Sequence, residues 1–93
     1  MKVYFNEAAR DDIARNHSYI HERNPAAAAK VVFAIRSSTN RLVSFPYSGR
    51  MGAVTGTREI VVPHLPYIVV YAVKFGYVEI IAAFHAAEDR PRG

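Results

Sequence analysis

The pattern of the chain predicts an α+β fold: an N-terminal strand, then a two-helix hairpin packed on one face of an antiparallel sheet, in the order β-α-α-β-β-β. Three observations carry that expectation. Lys2 to Phe5 is rich in β-formers and stops at an asparagine. The next stretch holds helical spacing twice over, each time behind a helix-start signal. From Thr57 the chain turns dense in Val, Ile, Tyr and Phe, broken only by short Pro and Gly punctuation. Strands that follow one another through short connections pair antiparallel, and a helical hairpin is long enough to cover one face of them.

Taken in order, Lys2 to Phe5 is the first strand and Asn6 caps the first helix. Glu7, Asp11 and Asp12 then place negative charge near the helix start, where the helix dipole favours it. This helix runs to about Arg23, with Ala9, Ile13, Asn16 and Ile20 on one stripe. Asn24-Pro25 starts the second helix, because Asn caps well and Pro at the first position gives up only an N–H that has no partner there. Ala28, Val31, Ile35, Ser38, Leu42 and Phe45 form its buried seam, and Pro46 ends it. Lys30, Arg36, Ser37 and Arg41 fall off the seam and are expected in solvent. Tyr47 to Gly52 is a loop. Thr57 to Val62, Tyr67 to Val73 and Tyr77 to Phe84 are the remaining strands.

Composition limits the function classes. At 93 residues the chain forms one domain, residues 1–93, with 51% hydrophobic and 22% charged residues, which excludes a disordered tail. It has no cysteine, so disulfides and thiolate metal sites are excluded, and a reducing compartment is expected. Glu7 interrupts the start before any apolar signal region forms, and Pro63, His64 and Pro66 break the longest apolar stretch. A cytoplasmic protein with no membrane partner is the expectation. The +4 charge is dispersed, which suits an acidic protein partner as well as it suits nucleic acid.

Four segments resemble the RelE/ParE superfamily of type II toxin-antitoxin toxins. They are Phe45-Pro46-Tyr47-Ser48-Gly49-Arg50, Gly56-Thr57-Arg58-Glu59-Ile60-Val61-Val62, Pro66-Tyr67-Ile68-Val69-Val70-Tyr71, and Phe84-His85-Ala86-Ala87-Glu88-Asp89-Arg90-Pro91. The resemblance implies a small toxin neutralised by a co-expressed cognate antitoxin that wraps its surface. It also implies one of two toxic acts, cleavage of mRNA on the ribosome or poisoning of DNA gyrase. RNA cleavage by a 2'-hydroxyl needs a base, an acid and cations around the phosphate. The RNase branch typically carries an Arg after the strand Tyr, but here Ile68 follows Tyr67 and Ala86-Ala87 replaces basic residues near the end. The departure favours the ParE-like branch: a toxin that acts by binding a target, with gyrase expected, and that needs no cofactor and meets nucleic acid only through its antitoxin or target.

Arg58, His85 and Arg90 are the candidate target-binding residues. Arg58 and Glu59 are strand neighbours and point to opposite faces. His85 follows Phe84 at a strand end, where a titratable group projects into a groove. If the chain cleaves RNA after all, His85 with Arg50, Arg58 or Arg90 as phosphate clamps is the assembly available. His17 and His21 sit four apart on one helix face, a metal-compatible spacing, yet no third ligand accompanies them and no metal is expected.

A two-residue turn at Phe75-Gly76 sets a register of Val73 with Val78, Tyr71 with Ile80, Val69 with Ala82, and Tyr67 with Phe84. That set then faces the helices. The opposite face carries Ile68, Val70, Ala72, Ile81 and Ala83, with His85 at its far end. An apolar face without helices is expected to lie open as the antitoxin-binding surface, covered by the antitoxin or by a second toxin copy.

Overall fold

The computed structural model describes residues 1–87. Its elements are β1 (Lys2–Phe5), α1 (Glu7–His21), α2 (Pro25–Asn40), a single 3-10 turn at Arg41–Val43, β2 (Arg50–Met51), β3 (Arg58–Val61), β4 (Tyr67–Lys74) and β5 (Tyr77–His85). Both helix starts form for the expected reason. The Asn6 side chain accepts the Ala9 N–H at 2.8 Å, and Asn24 accepts the Ala27 N–H at 3.1 Å with Pro25 at the first helical position. Among the described residues no helix is long and apolar enough to cross a membrane.

The strands form one sheet in the order β1-β5-β4-β3-β2. The α+β class and the helical hairpin stand, and two features enlarge the sheet. Arg50–Met51 adds a short edge strand beside β3, and β1 pairs parallel to β5, with Lys2 opposite Tyr77 and Phe5 opposite Ile80. The sheet is therefore mixed. A first strand separated from the last by two helices arrives on the same side as that last strand runs, which alternating hydrophobicity alone does not reveal.

Both helices pack on one face. Ala9, Ile13, Val31, Ile35 and Leu42 meet Val69, Tyr71, Val78 and Ile80 there. Phe45, assigned to the α2 seam, is 66% exposed. The cause is the tightened turn after Asn40: at three residues per turn it rotates the chain off the 3.6-residue phase that places Leu42, and Phe45 swings outward.

The register of the last hairpin matches expectation only as far as Tyr71 opposite Ile80. There β5 carries one extra residue, Ile81, so that Val70 lies opposite Ala82, Val69 opposite Ala83, Ile68 opposite Phe84 and Tyr67 opposite His85. Four assignments change with it: Ala82, expected opposite Val69 on the helix side, lies on the second face, and three more follow. Ala83 joins the helix-facing core instead of the second face, Phe84 moves from the helix side to the second face, and His85 stands beside Tyr67 on the helix side. A bulge of one residue exchanges faces for everything beyond it.

The second face is apolar as expected, but it is not open. Ile68, Val70, Ala82 and Phe84 form a separate cluster, each at most 6% exposed, with Ile81 half-buried against it and Ala72 also buried.

Asp12, expected as a helix-start charge, does something else. It is 5% exposed, and its Oδ2 accepts the Ala83 N–H at 3.0 Å while Oδ1 accepts from Arg15 at 2.6 Å. β1 ends at Phe5, so among the described residues the outer edge of β5 beyond Ile80 has no strand beside it, and the carboxylate takes the strand's place.

Candidate functional site

The site begins with the loop between the 3-10 turn and β2. Phe45 to Ser48 is a turn closed by Ser48 N–H to the Phe45 carbonyl at 3.2 Å, with Pro46 at its second position, where a fixed φ suits it. Tyr71, fully buried on β4, reaches under this turn. Its hydroxyl donates to the Pro46 carbonyl at 2.8 Å and accepts the Gly49 N–H at 2.9 Å. A Cβ on Gly49 would stand 2.6 Å from that hydroxyl and 2.8 Å from the Glu59 carbonyl, so only glycine fits. Arg58 closes the loop from the other side: Nη1 donates to the carbonyls of Gly49 at 2.8 Å and Tyr47 at 3.2 Å, and the guanidinium lies 5.1 Å from the centre of the Tyr47 ring. The loop backbone is thus held at several points while Phe45 and Tyr47 stay exposed.

The neighbouring cation, Arg50, is committed elsewhere. It faces Glu59 across β2 and β3, with Nη2 3.0 Å from the carboxylate, and Glu59 is 4% exposed. Arg58 and Glu59 point to opposite faces as expected: Arg58 stands opposite Tyr71 and Glu59 opposite Val70.

His85 is remote from both. Its Nδ1 accepts the Ala87 N–H at 3.0 Å, and its ring meets Tyr67 edge-on at 5.4 Å. Arg58 is opposite Tyr71 on one side of β4 and His85 is opposite Tyr67 on the other. The offset along the strand is roughly 13 Å, and two strand spacings add about 10 Å across it. The structure does not bring Arg58 and His85 together, and Arg90 lies outside the described residues. The His17 and His21 rings stack at 5.3 Å, and no group of three potential metal ligands occurs among the described residues.

With this geometry in place, comparison with known proteins is direct. The family model for the ParE toxin of the type II toxin-antitoxin system parDE matches residues 3–90. The chain belongs to the ParE toxin family. This ParE-family toxin is 39% identical over 75 residues to a Sinorhizobium fredii protein named "Putative toxin Y4kP", covering 81% of this chain and 77% of that one. It is 30% identical over 86 residues to toxin RelE2 of Caulobacter vibrioides, covering 92% and 96%. Among solved structures, the chromosomal ParDE system from P. aeruginosa superposes with a TM-score of 0.82 at 22% identity, over 91% of this chain and 95% of that one. The isolated E. coli RelE toxin superposes at 0.63 with 15% identity, over 96% and 87%. The two structural matches speak for the fold, and the family match makes this ParE-family chain a type II toxin of the RelE/ParE superfamily.

One residue of the toxin's site, Tyr71, and one at the edge of its sheet, Asp12, were not singled out by the sequence. Tyr71 reads as a core aromatic, and its second role shows only once the loop is seen to pass over its hydroxyl. Asp12 carried a usable signal: it lies three residues after Ala9 and four before Asn16, inside the buried stripe of α1.

Proposed function

We infer that this toxin arrests growth by binding DNA gyrase rather than by cutting RNA, and that its cognate antitoxin neutralises it at the second face of the sheet. The observation that supports the first part is the scatter of the groups RNA cleavage would require. A base, an acid and phosphate-binding cations must converge on one scissile phosphate. Here Arg50 is paired with Glu59, Arg58 holds the loop carbonyls, and His85 stands at the far end of β4. The strand positions between them, Ile68, Val70 and Ala72, are uncharged and buried. Of the candidate target contacts, Arg58 is retained, while His85 and Arg90 remain assigned by position alone.

The antitoxin surface narrows. Ile68, Val70 and Ala72 are buried within the chain itself, so direct contact falls to the margins of that face: Ile81, half-buried at the bulge, and Val61, which pairs with Ile68 and is 54% exposed. Ile81→Asp should weaken antitoxin binding by more than tenfold, a loss of about 1.4 kcal/mol or more. Val70→Asp does not serve as a probe, because a carboxylate at a fully buried position unfolds the toxin first.

The deciding experiment expresses the toxin without antitoxin and follows DNA supercoiling beside transcript cleavage. Loss of gyrase-dependent supercoiling with intact ribosome-bound mRNA supports the reading. Site-specific cleavage in the ribosomal A site that disappears in His85→Ala would falsify it.

A further inference from the structure

A shallow cleft of about 200 Å³ opens beside the clamped loop, lined by Tyr47, Met51, Gly56, Thr57, Arg58 and Val73. Its walls face water: Met51 is 69% and Tyr47 64% exposed. Arg58 is not simply a spent structural cation there. Both of its hydrogen bonds leave from Nη1, so Nε and Nη2, the parallel pair along one edge of the guanidinium, make no bond among the described residues. That edge is the fork that grips a carboxylate through two hydrogen bonds at once. Stacking on Tyr47 and anchoring to two carbonyls fix its orientation in advance, which lowers the ordering cost of binding.

Among the described residues no carboxylate bonds to this fork. Between Glu22 and Glu59 there is no Asp or Glu, while Arg23, Lys30, Arg36, Arg41, Arg50 and Arg58 all fall in or at the end of that stretch. Glu59, next in sequence, points to the opposite face and is held by Arg50. A cleft lined by a half-buried arginine, exposed aromatic and thioether walls and no acidic side chain is complementary to an acidic side chain of a protein partner. Nucleic acid fits less well, since tracking a phosphate backbone takes several uncommitted cations in line, and two of the arginines here are engaged.

We propose that the cleft takes an Asp or Glu side chain from the protein the toxin acts on, held by the Nε–Nη2 edge of Arg58 between Tyr47 and Met51. The proposal rests on the gyrase-binding reading above and adds the chemistry of the contact.

The test uses the full-length free toxin and purified gyrase holoenzyme. Met51→Glu places a competing carboxylate in the cleft at an exposed position, and Arg58→Lys keeps the charge but removes the fork. Each should raise the Kd for gyrase about tenfold or more, with antitoxin affinity within about twofold of wild type and the thermal midpoint of Met51→Glu unchanged. Wild-type affinity for gyrase in both variants overturns the cleft and leaves the gyrase reading standing. An equal loss of antitoxin affinity overturns it by assigning the cleft to the antitoxin. A single-stranded RNA oligonucleotide bound by wild type and released by Met51→Glu overturns it in favour of nucleic acid. Failure of the wild-type toxin to bind gyrase at all removes both the reading and the inference.

Discussion

The two halves of β5 are built differently. Tyr77 to Ile80 is flanked on both sides, by β1 and β4, so its backbone groups pair with strands in both directions. Among the described residues Ile81 to His85 has β4 on one side only, begins with a bulge, and donates an outer hydrogen bond from the Ala83 N–H to a helix side chain, Asp12. The first half is ordinary ladder, and its stability comes from packing. The second half depends on one buried carboxylate that completes what a fifth strand residue would have done. A backbone N–H enclosed without a partner is costly, so where the neighbouring strand runs out a side chain must substitute.

The sharpest way to break the comparison is to attack the ladder half. Ile80→Ala truncates a fully buried residue of the helix-facing core and should cost about 2 to 5 kcal/mol in urea unfolding, the whole domain losing stability together. Asp12→Ala should cost less, about 1 to 3 kcal/mol, by leaving the Ala83 N–H enclosed and unpaired. Its signature is local: amide exchange at Ala83 should quicken while Val78 and Ile80 keep their protection. Equal acceleration along all of β5 would erase the distinction between the halves. Arg15→Ala should cost well under 1 kcal/mol, because its side chain is 65% exposed and water already screens its pair with Asp12. Lys30→Ala, on the solvated side of α2, should lie within about 0.5 kcal/mol of wild type and serves as the baseline.

The same comparison explains what could be read in advance. The helix starts at Asn6 and Asn24 were legible because capping is local chemistry written in adjacent residues. The seam from Ala28 to Leu42 was legible because period and burial coincide. Register up to Tyr71 and Ile80 followed from the turn at Gly76, whose φ of 85° suits glycine. Ile81 gave no warning, since an apolar bulge residue looks like any other strand residue, and from it follow the misplacement of Ala82, Ala83, Phe84 and His85. The site was legible in part: Arg58 was singled out, but its grip on the loop depends on the path of residues 46–49, which is tertiary information. Gly49 reads as a loop glycine, and its necessity shows only against Tyr71.

The parallel pairing of β1 with β5 joins residues far apart in sequence, Lys2 to Tyr77. During synthesis the first strand and both helices emerge with no sheet to receive them, and β5 is the strand that bridges β1 to β4. Contacts of such long sequence separation form late and slow the folding of a domain this small. A chain that stops short of residue 77 therefore leaves its first strand without a neighbour.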